Sequence, residues 1–189
     1  MIVIQNRRTP LEKIQKQFGD FPVLDVTSRG KEPWIRFSPF YPHGGIPVPF
    51  SPGWVSTSVE GIWQGLKVFE QADVDRSKFR ITTMKGIKRS VRMHGKVRGH
   101  RRGVDGNQLL SYKEARYAIY LPSYYWTLEH YLQDLVAELK ELTGRGNVIL
   151  LDYEVNCDVD NVSRPLSHAG LIKLYIEDNW PSIPIDSYA

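Results

Sequence analysis

The segment 34–54 constrains this chain more than any other part of it. Pro39, Pro42, Pro47, Pro49 and Pro52 are interleaved there with Phe37, Phe40, Tyr41 and Phe50. Proline can neither continue a helix nor donate to the ladder of a central strand. Aromatic rings, in turn, seek burial. The segment therefore reads as an ordered loop holding one or two short strands. A loop of this length inside a compact domain is expected to be functional.

Regular elements must then lie to either side, and their signals are mixed. Residues 1–5 and 22–26 read as strands. Between them Thr9-Pro10-Leu11-Glu12 reads as a capping box opening a helix that ends near Gly19. Beyond the loop, Ser58 caps a helix expected to reach Gln71, with Val59, Ile62, Trp63, Leu66 and Phe69 as its apolar stripe. A further helix is expected from Thr82 or Thr83, followed by a basic glycine loop around Gly95, Gly99 and Gly103. Ser111 and Glu114 form a second capping box, for a helix to about Leu121. Pro122 and Ser123 open the longest helix, which is expected to stop at Thr143-Gly144. A strand over 147–154, a polar turn over 156–161, a helix over 165–176 and a proline-spaced tail complete the chain. With no repeat or low-complexity linker, the expectation is one helix-rich α+β domain spanning residues 1–189.

Composition narrows the class. An apolar share of 41% is globular, which excludes an intrinsically disordered chain. No run approaches the ~20 apolar residues that a membrane span needs. The first residues lack the pattern of a secretory leader, and Cys157 has no second cysteine to pair with. A cytoplasmic protein is expected, and the Asn161-Val162-Ser163 sequon is read as chance. The formal charge of +4 is unevenly spread: residues 76–102 hold eleven Lys and Arg and no acid, leaving −7 on the rest. Such a segment attracts phosphate, on a nucleotide or a nucleic acid, unless it is simply a solvated face. The five histidines show no metal-ligand spacing, and neither a P-loop nor a dinucleotide fingerprint is present, so no metal and no cofactor are expected.

Chemistry is most concentrated on the expected 58–71 helix. Glu60, Gln64 and Lys67 fall at i, i+4 and i+7, on one face beside the apolar stripe. A carboxylate, an amide and an ammonium in that order suit a sugar-bearing substrate; on an arbitrary helix they would more often be an exposed ladder. Gly61 costs the helix about 1 kcal/mol relative to alanine and implies something close to the backbone there, a ligand being one candidate. Cys157 reads as an inert small hydrophobe.

Phe37-Ser38-Pro39-Phe40, followed by Glu60-x-x-x-Gln64-x-x-Lys67, resembles the NADAR family. That family includes riboflavin-biosynthesis-intermediate N-glycosidases and hydrolases that remove ADP-ribose from guanine in nucleic acid. The resemblance covers roughly residues 34–177 and includes an Asn-Asp turn, matched by Asn156 and Asp158 ahead of the last helix. It departs from the family pattern at Pro39, which replaces an asparagine, at Gly61-Ile62, and in a missing Trp-Gly after the turn. The resemblance implies cleavage of a C1′–N bond in an ADP-ribosyl or phosphoribosyl-amine substrate. Glu60 or Asp158 would stabilise the sugar cation or orient water, and Lys67 would hold phosphate or attack C1′. Phe37, Ser38, Phe40, Trp63, Gln64, Lys88, Arg92, Arg101 and Asn156 would bind substrate, with Phe40 and Trp63 stacking on the base unless they are core. The alternative is a non-catalytic module that binds nucleic acid or ADP-ribose through segment 76–102. A third reading joins both features in an enzyme acting on ADP-ribosylated nucleic acid.

Overall fold

A computed structural model describes residues 1–182. The expected proline-spaced tail falls largely on residues 183–189, outside the described residues. The fold class is α+β, as expected, and the chain resolves into two compact units.

The first unit combines residues 1–38 with 131–181. Its centre is a parallel sheet in which Val148–Asp152 lies between Ile2–Asn6 and Val23–Asp25. Val148, Ile149 and Leu150 are all fully buried, as a central parallel strand covered on both faces requires. Helices Leu11–Phe18, Gln133–Arg145 and His168–Ile176 supply Ile14, Leu135, Leu139, Leu171 and Ile172 to the same core. The Thr9 capping box does not form: the helix begins after Pro10 without a side-chain cap. Thr9 instead gives its N–H to the Asn6 carbonyl in a turn.

The second unit spans residues 39–130. The proline-rich loop contributes the short antiparallel pair Ile46–Pro47 and Val55–Ser56, after the 3-10 turn Trp34–Phe37, which belongs to the first unit. A three-stranded antiparallel sheet follows, with Val97–Arg101 between Lys67–Phe69 and Leu109–Leu110. The expected helix near Thr82 is absent. Residues 82–90 are irregular, and only one turn, Val91–His94, is helical. Gly86, with a left-handed backbone (φ 73°), interrupts that segment, and a helix as short as the remaining turn is not self-supporting.

The Ser111 capping box forms as expected, with Glu114 accepting the Ser111 N–H at 2.7 Å. The two helices expected on either side of Pro122 are one continuous run: Tyr112–Ala115, a π-helical turn Arg116–Tyr120, then Leu121–Tyr131. Pro122 has no N–H to give the preceding turn. The helix passes it by widening, the Leu121 N–H reaching back five residues to Arg116. The actual break is at Leu132, where the backbone leaves helical geometry (φ −125°, ψ 12°) before Gln133–Arg145.

Candidate functional site

In the second unit the helix carrying Glu60 covers Val59–Gly65 only. Ser58 caps it through a 3.0 Å bond from the Gly61 N–H to its hydroxyl. The Glu60 N–H is taken by the carbonyl of Pro39 at 2.8 Å, so Pro39 anchors the start of this helix through its backbone. The helix does not extend to Gln71 because its last carbonyls are claimed from outside. Asp75 N–H bonds Gly65 and Arg101 N–H bonds Leu66, at 2.8 and 2.9 Å. Lys67 therefore begins a strand paired with His100 and does not stack one turn above Gln64. The room at Gly61 is filled by protein: a Cβ there would lie 2.8 Å from the Lys78 carbonyl and 2.7 Å from Ser56 Oγ.

Glu60 and Gln64 are nonetheless joined as the helical spacing implies. Both are buried, and Gln64 Nε2 donates to Glu60 Oε1 at 2.9 Å. The other end of the amide accepts the Arg89 N–H at 3.1 Å, which fixes its orientation. The Arg89 guanidinium donates to the helix carbonyl of Gln64 at 3.3 Å and, beyond the helix, to the carbonyls of Lys67 at 2.6 Å and Asp73 at 2.9 Å. Half-buried Lys67 places its ammonium 5.8 Å from the Trp63 ring centre. Burial lowers its pKa, Glu60 opposes that, and Lys88 and Arg89 add to the lowering. Lys88 itself sits 5.4 Å from the ring of Phe40, so Phe40, Glu60, Trp63, Gln64, Lys67 and Lys88 form one connected neighbourhood.

Trp63 is the hub of an aromatic cluster. His100 lies 3.8 Å from it between ring centres, with Tyr112 and Tyr120 edge-on at 5.8 and 5.6 Å. Neither ring nitrogen of His100 reaches good hydrogen-bond geometry. Burial, reinforced by the Lys67 charge and only weakly opposed by the Trp63 backbone, drives its pKa down to about 3. His100 is thus a neutral wall of the site. Arg116 is buried too, its guanidinium over the Tyr112 ring at 4.6 Å.

The family model that matches this geometry's chain covers residues 6–172 and is described as a family of unknown function, DUF6939. The chain belongs to the DUF6939 family. No curated protein and no solved structure matches it.

Other expected site residues of this DUF6939 protein have definite local roles. Phe37 is fully buried and stacks on Trp34 at 6.2 Å, and Ser38 is buried beside it. Asn156 and Asp158 belong to the first unit and organise their own turn. Asn156 Oδ1 accepts the Asp158 N–H at 3.1 Å, and Asp158 Oδ1 accepts the Asp160 N–H at 2.9 Å. Arg101 is engaged by Asp73 through two bonds, the shorter 2.7 Å. Arg92 is exposed. Within the basic segment, Arg76 pairs with Asp105 and Arg98 with Glu70, so acids from outside the segment offset part of its charge.

Sequence reading missed Arg89, His100, Tyr112 and Tyr120. Their partners are set by strand register and helix packing, and no spacing rule in the sequence signals them. It also passed over Asp152, Ser167 and His168 in the first unit. Asp152 Oδ2 receives bonds from Ser167 Oγ at 2.7 Å and His168 Nδ1 at 2.9 Å, while His168 Nε2 meets the Val26 carbonyl at 2.9 Å. Both His168 neighbours can only accept, so the ring is a buried imidazolium held by a carboxylate. The one available signal was Ser167 as the helix N-cap. Cys157 packs against Gly170, where a Cβ would lie 2.8 Å from its sulfur, and burial raises its thiol pKa.

Proposed function

We propose that this protein is an N-glycosidase that cleaves the C1′–N bond of an ADP-ribosyl or phosphoribosyl-amine substrate. One observation carries the reading: a buried carboxylate, Glu60, tied to Gln64 and close to Lys67, a lysine whose pKa is depressed, beside the Trp63 ring. The resemblance of this pattern to the NADAR family supports it. In a low-dielectric site a fixed carboxylate stabilises a sugar cation far better than water does. The C1′–N electrons leave with the base nitrogen, which takes up a proton from solvent. Water adds to C1′ and loses its proton to Glu60, which returns it to solvent, leaving the free sugar hydroxyl. Lys67 contributes positive charge for a phosphate oxygen, and Trp63 offers a face for a base. The free thiol of Cys157 suits a cytoplasmic setting. Among the described residues no helix is long and apolar enough to cross a membrane.

A second reading has its own observation. Lys85, Lys88, Arg92 and Lys96 are exposed along one stretch that contains no acid, as a nucleic-acid contact would require. An ADP-ribosylated oligonucleotide would then be the substrate that engages both features.

The deciding assay follows base release from ADP-ribosyl-guanosine, ADP-ribosylated oligonucleotides and phosphorylated riboflavin precursors. The wild type is expected to release base from at least one of them. Glu60→Gln is expected to lower turnover roughly 10²-fold or more with little change in affinity. Tight binding without release by the wild type would replace the enzyme with a binding module.

A further inference from the structure

A cavity in the 39–130 unit has the build of a ligand site. It encloses about 560 Å³, within the roughly 300–1,000 Å³ range of small-molecule pockets. Phe50, Leu110, Tyr117 and Ala118 give it apolar walls, and Arg102 and Lys113 give it positive charge. The carboxylate of Glu114 also lines it but is committed to the Ser111 N–H in the capping box.

Several features hold this cavity in shape. Phe50 has a left-handed backbone (φ 55°), which a bulky residue adopts only where its surroundings impose it. Gly103 lies directly against this turn: a Cβ there would lie 2.1 Å from the Phe50 carbonyl oxygen. The adjacent Val104 N–H bonds Ser51 Oγ at 2.8 Å in a buried position, locking the same turn. The Arg102 guanidinium lies 4.2 Å from the Phe50 ring centre, an arrangement that leaves its N–H fork available to a carboxylate or phosphate oxyanion. Finally, Tyr117 and Ala118 come from the π-helical turn, a distortion that recurs at functional sites.

We infer that this cavity binds a planar aromatic ring carrying one oxyanion, the ring between Phe50 and the Tyr117–Ala118 wall and the anion on Arg102. The inference does not depend on N-glycosidase activity at Glu60. Two sources share the chemistry, a nucleoside monophosphate and an aromatic carboxylate.

Calorimetric titration of the full chain with AMP and 1-naphthoate, each against its neutral counterpart (adenosine, 1-naphthalenemethanol), distinguishes them. At least one anion is expected to bind with a Kd of roughly 10–100 μM. Its neutral counterpart is expected to bind about tenfold more weakly, since a guanidinium–oxyanion pair is lost. AMP binding alone assigns the phosphate source, naphthoate alone the carboxylate, and both the shared chemistry. Arg102→Ala is expected to cost about tenfold in affinity. Ala118→Phe, which fills the cavity, should abolish binding. Should Ala118→Phe fail to fold, Arg102→Ala on the exposed face still decides the matter. No binding of either anion at about millimolar concentration overturns the inference. So does binding that both variants leave unchanged, which would place the ligand elsewhere.

Discussion

Replacing His168 with glutamine removes a buried positive charge while keeping a polar side chain of similar reach. In the wild type, burial pushes the His168 pKa down, but the charge of Asp152 and the bonds to Asp152 and Val26 outweigh it, so the net shift is upward. Asp152 is the mirror case: burial pushes its pKa up, while His168, Ser167 and the Ala169 N–H outweigh that and hold it low. Removing one member of a buried pair leaves the other charge uncompensated, at a typical cost of about 3–5 kcal/mol. Ser167 and Ala169 still donate to Asp152 in the variant, so the lower end, about 3 kcal/mol, is expected. The pH dependence follows from the directions of the two shifts. The stabilisation from His168 is complete below its unfolded pKa of about 6.5 and is lost as pH rises through the higher folded value. The stabilisation from Asp152 is present above its unfolded pKa of about 3.9 and is lost as pH falls through the lower folded value. Urea unfolding across a pH series should therefore show wild-type stability declining on the alkaline side. His168→Gln should be less stable at neutrality and lack that decline. A variant within about 1 kcal/mol of wild type at pH 6, together with a wild-type profile flat on the alkaline side, would refute the buried imidazolium.

Further outcomes test the site's supports. Gly65→Ala places a Cβ 2.2 Å from Phe79, which is itself buried. Overpacking of about 1–3 kcal/mol should exceed the roughly 1 kcal/mol gained in helix propensity, giving a net loss in chemical denaturation. Arg89→Ala strips the charged donor from the carbonyls of Lys67 and Asp73 and should cost about 2 kcal/mol. Arg89→Lys should not restore it, because an ammonium cannot span those acceptors as the fork does. Arg101→Ala, by contrast, breaks an exposed pair with Asp73 and should cost no more than about 1 kcal/mol. Neutralising Lys88, Arg92 and Lys96 together should weaken oligonucleotide binding and flatten its salt dependence by about one to three in slope. Unchanged affinity and slope would make that stretch a solvated face.

What the sequence determined by itself is local or periodic. The strand at the centre of the first unit announced itself as a continuous apolar run, Val148-Ile149-Leu150, though its parallel pairing did not. Ser58 and Ser111 marked helix starts because a cap is a bond within four residues of chain. Glu60 and Gln64 were paired by helical spacing alone, and the 2.9 Å bond between them is what that spacing produces. Tertiary structure decided everything that depended on a competing partner from far along the chain. The Val59–Gly65 helix stops where it does because Asp75 and Arg101 take its final carbonyls, which moved Lys67 from a helical face to a strand opposite His100. Gly61 and Gly65 look like weak points in a helix, yet they are sites of close approach by Lys78 and Phe79. The basic segment reads as one field, but Glu70, Asp73 and Asp105 from outside it neutralise Arg98, Arg101 and Arg76. His168 carried no signal at all, because a histidine's charge state is set by what faces it. Here that is a strand end, Asp152, and a carbonyl, Val26, which only the folded first unit brings to its two nitrogens.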